Sequence, residues 1–285
     1  MTRRRVLAAL VVAVCAVLSL HVGAAQPPKR IISLVPALTE MLFAIGAGPQ
    51  VVAVSSYDED PPEVKSLPRV GALLDPDVER ILSLKPDLVI TYGSQSDLHG
   101  QLTRARIPMF DYRHGGLAAI AETMRALGAR TGHAAEAEAT VNRIEARLAA
   151  IRARTAGATK PRTMLVFGRE RGALRNIYAS GGRGFLHDML EAAGGTNIFA
   201  DIERESVQAT TELILTRAPE VILEVRSADI TTADEAVKEA ASWAPLASVP
   251  AVRQQRVIVL TGKGLTVPGP RVADVVEQMT RTLHP

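Results

Sequence analysis

Few residues of this chain have the types and spacing that covalent chemistry needs. It contains no G-x-S-x-G elbow, no H-E-x-x-H pair and no phosphate-binding P-loop. Cys15 is the only cysteine, so no internal disulfide forms and no thiol nucleophile or cysteine–zinc site exists beyond it. His99, His114, His133, His187 and His284 are scattered. His187 and Glu191 share a helical face at a spacing that could ligate a metal, but no further ligand clusters with them, and a helix-surface pair is the simpler reading. GGRG at Gly181–Gly184 opens a helix and could hold an anion there; lacking a full dinucleotide fingerprint, it reads as a turn. These exclusions argue against an enzyme and against a resident metal or cofactor.

The chemistry that remains is capture. Tyr57 follows the run VVAVSS, Tyr92 follows DLVI, Arg169 and Arg171 follow MLVFG, Tyr178 lies in IYASGG, and Lys263 follows VIVLTG. Open parallel sheets bind ligands in the crevice outside the carboxyl ends of their strands, where these residues would fall. Aromatic faces and fixed cations suit a large, flat, partly anionic ligand. Any one tyrosine is equally consistent with half-buried packing; their recurrence at strand ends in both halves of the chain favours a crevice.

The elements that must position them are organised by an internal echo. Val78–Ile90, VERILSLKPDLVI, is answered by Thr211–Leu223, TELILTRAPEVIL, and upstream LTEMLFAIGA (Leu38–Ala47) is answered by LHDMLEAAGG (Leu186–Gly195). Each of the first pair reads as a short helix ended by a proline and followed by a buried strand. Two echoes in the same order predict two lobes on one plan. From Arg30 onward, strands alternate with helices, which argues for mainly parallel sheets covered on both faces. Gly115–Gly116 interrupts this alternation. A helix over His133–Arg154 then carries an apolar stripe and would run roughly 33 Å, long enough either to cross between lobes or to lie along one domain.

Glu79 and Glu212 are equivalent in the echo. Each falls in the first helical turn, where a carboxylate complements the helix dipole by about 0.3–1 kcal/mol, with Asp75–Pro76 and Thr210 as the expected caps. The same equivalence would let two lobes each present one acid to a partner that is itself two-fold symmetric.

Residues 1–25 read as a secretory signal: Arg3–Arg5, an apolar run too short for the roughly twenty residues that span a bilayer, then Gly23 and Ala25 before Gln26. Val14 before Cys15 is poor for lipoprotein cleavage. Those three arginines account for the formal net charge of +3, so the rest of the chain is balanced and gives no ground for nucleic-acid binding. The remaining stretch of roughly 260 residues suits one large domain or two lobes.

RIISLVPALTEMLFAIGAG, VVAVSSYDEDPP, LPRVG, VERILSLKPDLVI, the GG-x-NIF of GGTNIF, and TELILTRAPEVIL together resemble the periplasmic binding proteins for cobalamin and iron complexes, from Arg30 to the C-terminus. The resemblance implies an α/β fold of two Rossmann-like lobes joined by one long interdomain helix. The expected divisions are a signal at 1–25, an N-terminal lobe at 26–114, connecting helices at 115–158 and a C-terminal lobe at 159–285. It further implies a monomeric, non-enzymatic periplasmic receptor that carries a metal chelate to a dimeric ABC permease with its ATPase subunits. Glu79 and Glu212 match the family's permease-docking glutamates. VSSYDEDPP is nearest the cobalamin branch, in which the tyrosine matching Tyr57 lines the pocket. The tryptophans of that branch are replaced by Leu73, Tyr92 and Ser206, and Ala72 stands where the haem branch has an axial tyrosine. A cobalt corrinoid is the favoured ligand, with a ferric siderophore or haem as the alternative. A two-lobed chelatase-like enzyme is the more remote one.

Overall fold

Four strands, β1 (Ile31–Ser33), β2 (Val51–Val54), β3 (Leu88–Tyr92) and β4 (Met109–Tyr112), pair in parallel in the order β2-β1-β3-β4. The computed structural model that shows this describes residues 26–226 and 232–285; the signal segment and Cys15 lie outside the described residues. β1 and nearly all of β3 are buried, as expected of parallel strands covered on both faces. The intervening helices are α1 (Pro36–Ala44), α2 (Val78–Ser83) and α3 (Ser96–Arg104).

Two helices follow, α4 (Leu117–Thr131) and α5 (Ala134–Thr155). The 22 residues of α5 match the sequence expectation to within one position at each end. Its first half meets the first lobe, with the Thr140 hydroxyl donating to the Ala44 carbonyl at 3.3 Å. Its last turn meets the second, with Arg154 paired to Glu277 at 2.7 Å. The rod therefore crosses between the lobes. One continuous apolar core accompanies it, taking in Leu38, Leu42, Val141, Leu148, Leu190 and Met279.

The second sheet contains β5 (Arg162–Gly168), β6 (Tyr178–Ser180), β7 (Thr196–Asn197), β8 (Ser206–Gln208), β9 (Val221–Arg226) and β10 (Val257–Thr261). Its order is β10-β9-β5-β6-β8, with β7 alongside the start of β5. β10, β9 and β5 are parallel, whereas β6 and β8 run antiparallel to their neighbours. That antiparallel margin was not visible in the sequence, because strands of three residues leave too little periodicity to read. The helices of this lobe are α6 (Phe185–Ala192), α7 (Thr211–Arg217), α8 (Ala233–Ala241), α9 (Pro250–Arg253) and α10 (Val272–Leu283).

The echo is a repeated piece of physics. After α2 and after α7, the residue before the proline turns left-handed, Lys85 at φ 50° and Ala218 at φ 44°. The carboxylate after each proline then grips the start of the neighbouring strand. Asp87 accepts from the Lys29 and Arg30 backbone N–H groups, both at 2.8 Å, and Glu220 accepts from the Arg162 N–H at 2.9 Å. The arginine in each pair reaches back to the orphan carbonyls of the helix end: Arg30 donates to Leu84 at 2.7 Å, and Arg162 to Arg217 at 2.6 Å. At the other end of α2, the cap is Asp77 rather than Asp75, accepting from the Arg80 N–H at 2.9 Å. The helix thus begins at Val78, two residues later than the proline suggested. Thr210 caps α7 as expected, accepting from the Leu213 N–H at 3.2 Å.

The lobes are also tied directly. Arg271, before α10, makes a two-pronged contact with Glu40 of α1 at 2.7 and 2.9 Å. Asp188 of α6 accepts the first N–H of α4, from Leu117, at 2.9 Å. A Cβ on Gly116 would overlap that Asp188 oxygen, so a larger residue there would push the carboxylate off the Leu117 N–H.

Burial pushes the Glu40 carboxyl above its ordinary value of 4.5, against the pull of Arg271. Because the folded-state value exceeds the unfolded one, the contribution of Glu40 to stability is complete below the unfolded value and is lost as pH rises through the folded value. The unfolding free energy of the native protein minus that of the Glu40→Gln variant should therefore fall as pH climbs from the ordinary glutamate range towards neutrality. Urea titrations across that range measure it; a difference that grows with pH would contradict the assignment.

Candidate ligand-binding crevice

The residues expected at strand ends do not all open to one place. The loop after β2 projects Tyr57, which is 74% exposed. The loop is rigid because Asp58 folds back onto Ser55, accepting from its N–H at 2.9 Å and its hydroxyl at 2.6 Å. Arg69 holds the Ser55 and Asp58 carbonyls at 2.9 and 2.7 Å. Tyr57 borders a recess of about 170 Å³ together with Glu59, Lys263 and Arg271, and Lys263 pairs with Glu59 at 3.2 Å. Side chains of both lobes therefore meet there.

A second recess, of about 340 Å³, is lined by His114 from the end of β4, by Phe167, Arg183, Phe185 and Glu205 of the second lobe, and by Thr266. The segment 262–269 borders both recesses, with Lys263 and Val267 in one and Thr266 in the other. Tyr92 supports the wall behind His114, its ring 5.9 Å from the imidazole and 6.1 Å edge-on to Tyr112. Burial raises both phenols, Tyr112 to about 12, so this wall is uncharged at neutral pH. Tyr178, on β6, is 41% exposed and stacks near Phe167 at 6.5 Å.

Arg169 is a correction. Its side chain is fully buried, paired with Glu224 at 3.0 Å and Glu239 at 2.7 Å. It lies 5.6 Å over the ring of Trp243, whose N–H also donates to Glu224 at 3.1 Å. A buried carboxylate on a central strand must be neutralised, and Arg169 does this from inside the lobe, with no face left for a ligand. Arg171 is likewise drawn away, to Glu235 of α8 at 2.6 Å, and borders neither recess.

His114, Phe167, Phe185, Glu205 and Thr266 were not singled out from the sequence. His114 follows β4 just as Tyr57 follows β2 and Tyr92 closes β3, so the strand-end rule would have found it. His187 and Glu191 both turn out to hold Asn197 of the GG-x-NIF motif, at 3.2 and 3.0 Å. Among the described residues, no group of three or more His, Cys, Asp or Glu could hold a metal ion, and no helix is long and apolar enough to cross a membrane.

Glu79 and Glu212 are exposed at the starts of α2 and α7. Three residues after each, on the same helical face, stands an exposed leucine, Leu82 at 38% and Leu215 at 42%. Among the described residues, exposed large apolar side chains are few, and two of them occupy equivalent places in the repeat.

A crevice between two α/β lobes, with recesses walled from both and a helix crossing alongside, defines a two-lobed binding protein. The chain belongs to the periplasmic binding protein family, which residues 31–263 match. The Vitamin B12-binding protein of Yersinia pseudotuberculosis serotype O:1b (strain IP 31758) is 31% identical over 273 residues, covering 95% of this chain and 92% of that one. The periplasmic Vitamin B12 binding protein BtuF of Vibrio cholerae superposes with a TM-score of 0.76 at 29% identity, covering 90% of this chain and 97% of that one. The periplasmic heme-binding protein RhuT from Roseiflexus sp. RS-1 superposes at 0.74, also at 29% identity, covering 90% and 98%.

Replacing Arg169 with alanine takes from the buried Glu224 and Glu239 the guanidinium they share, leaving Glu224 with Arg226 and the Trp243 N–H, and should cost about 3 kcal/mol of unfolding free energy. Arg171→Ala, at an exposed pair, should cost under about 1 kcal/mol. Urea denaturation of the two variants measures both; equal effects would contradict the division between buried and surface arginine.

Proposed function

We propose that this protein is an exported receptor that binds a cobalt corrinoid between its lobes and delivers it to the dimeric permease of an ABC importer. The observation that carries the reading is the paired recess. Aromatic rings from both lobes (Tyr57 on one side, Phe167 and Phe185 on the other) stand beside a small number of ionic groups. Such walls suit a broad ring system bearing polar substituents, whose metal is already held by its own chelator. The relatives at about 30% identity that are named for vitamin B12 support the same ligand class. Arg169 is buried against Glu224 and Glu239, so it offers no charge to a strongly anionic siderophore.

On this reading no reaction is catalysed. Tyr57, Tyr92, Tyr178 and Lys263 shape or border the crevice, while Glu79 and Glu212 dock to the permease. The exposed leucine beside each glutamate supports docking, since an acid next to an apolar side chain, presented twice, fits a two-fold partner carrying basic and apolar groups.

Calorimetric titration of the purified protein with cyanocobalamin should give one-to-one binding at micromolar affinity or tighter, about −8 kcal/mol or better. Saturable binding of haemin with no heat from the corrinoid would transfer the assignment to haem. Converting Glu79 and Glu212 together to lysine should abolish uptake in cells while changing corrinoid affinity less than about threefold. Loss of that affinity would refute the docking role.

A further inference from the structure

We propose that His114 coordinates the metal of the bound chelate through its Nε2 atom, taking an axial position that a small exchangeable ligand occupies in solution. The inference rests on the reading of the crevice as a metal-chelate site and goes further, to the atom that would touch the metal.

His114 is the only histidine among the residues lining the larger recess; its other polar neighbours there are Arg183, Glu205, Ser206 and Thr266. Arginine keeps its proton and cannot ligate. A carboxylate or hydroxyl is a hard oxygen donor, less suited than imidazole to a borderline metal. The imidazole is also held as ligating imidazoles are held. Its Nδ1 lies 3.4 Å from the Tyr112 hydroxyl, and its ring packs edge-on to Tyr112 at 5.0 Å. Tyr112 is itself 5% exposed and wedged against Tyr92, so the support is rigid. In the tautomer whose Nδ1–H donates to the phenol oxygen, the lone pair resides on Nε2. Among the described residues, Nε2 has no hydrogen-bond or ion-pair partner. Metal-bound histidines are oriented by a partner on the other ring nitrogen in the same manner.

Phe167 and Phe185 line the same recess, so a flat macrocycle packed against apolar walls would bring its metal near the one nitrogen donor present. The step is a ligand exchange. The metal–water bond breaks, a metal–Nε2 bond forms with the imidazole lone pair, and water leaves; no electron or proton is transferred. A chelate whose axial position is blocked by a tightly bound anion would not undergo it.

The test uses two corrinoids that differ only at that position, aquocobalamin and cyanocobalamin, titrated into the purified protein with calorimetry and visible absorption read together. Aquocobalamin should bind at least about tenfold more tightly than cyanocobalamin and shift its absorption bands as nitrogen replaces water. Cyanocobalamin should bind without a shift. In His114→Ala the preference should collapse to about onefold and the shift vanish, while Tyr112→Phe should weaken the preference by an intermediate factor. Bound aquocobalamin with an unchanged spectrum in the native protein overturns the ligation and leaves the corrinoid receptor standing, with no variant needed. A shift that persists in His114→Ala overturns it as well, placing the nitrogen elsewhere. No heat with either corrinoid overturns both readings.

Discussion

The contact between Glu40 and Arg271 is the constraint on which the crevice depends. It joins the first helix of one lobe to the start of the last helix of the other, and the planar guanidinium fork fixes direction as well as distance. Arg271 also reaches Asp60 at 3.4 Å, so the floor of the smaller recess is a set of charges drawn from both lobes. Glu40 is nearly buried and is held above its ordinary pKa, which marks this contact as one that costs desolvation and serves geometry more than stability. With α5 crossing beside it and Asp188 gripping the start of α4, relative motion of the lobes is restricted at several points along one flank.

The second organising feature is the twofold use of one local device. A carboxylate after the proline grips the start of a central strand, and an arginine at that strand caps the end of the preceding helix. The device fixes the angle between each short helix and its sheet. Each helix can then carry a glutamate and an exposed leucine at its surface without contributing much to the core.

Charge is divided between interior and crevice in a way that residue type does not reveal. Glu224 lies on the central strand β9 and is fully buried, so the lobe must supply counter-ions, and Arg169 at the end of the adjacent β5 is one of two arginines within reach. Arg226 and Trp243 complete the set, at 3.2 and 3.1 Å from the same carboxylate. The protein thus spends its first strand-end arginine on its own interior. The recesses keep aromatic rings, one histidine and exposed ion pairs.

Much of this could be read from the chain alone. The echo predicted two lobes, alternation predicted parallel strands, and the spacing of Ala137, Val141, Ile144, Leu148 and Ile151 placed the long helix, because periodicities of two and 3.6 follow from backbone geometry. The helix ends were legible through proline. The antiparallel margin formed by β6 and β8 was not, since a strand of three residues has no period to detect. Nor could the sequence separate a strand-end arginine facing a ligand from one facing a buried glutamate; Arg169 and Glu224 are far apart in the chain, and only the pairing of β5 with β9 brings them together. The same holds for His114, whose significance comes from Tyr112 behind it and Phe167 and Phe185 across from it. Sequence alone determined the elements and their repetition, which depend on local backbone and capping forces. Tertiary structure decided which charges are consumed inside and which groups face the crevice, because burial and counter-charge are properties of neighbours that the chain brings together only when folded.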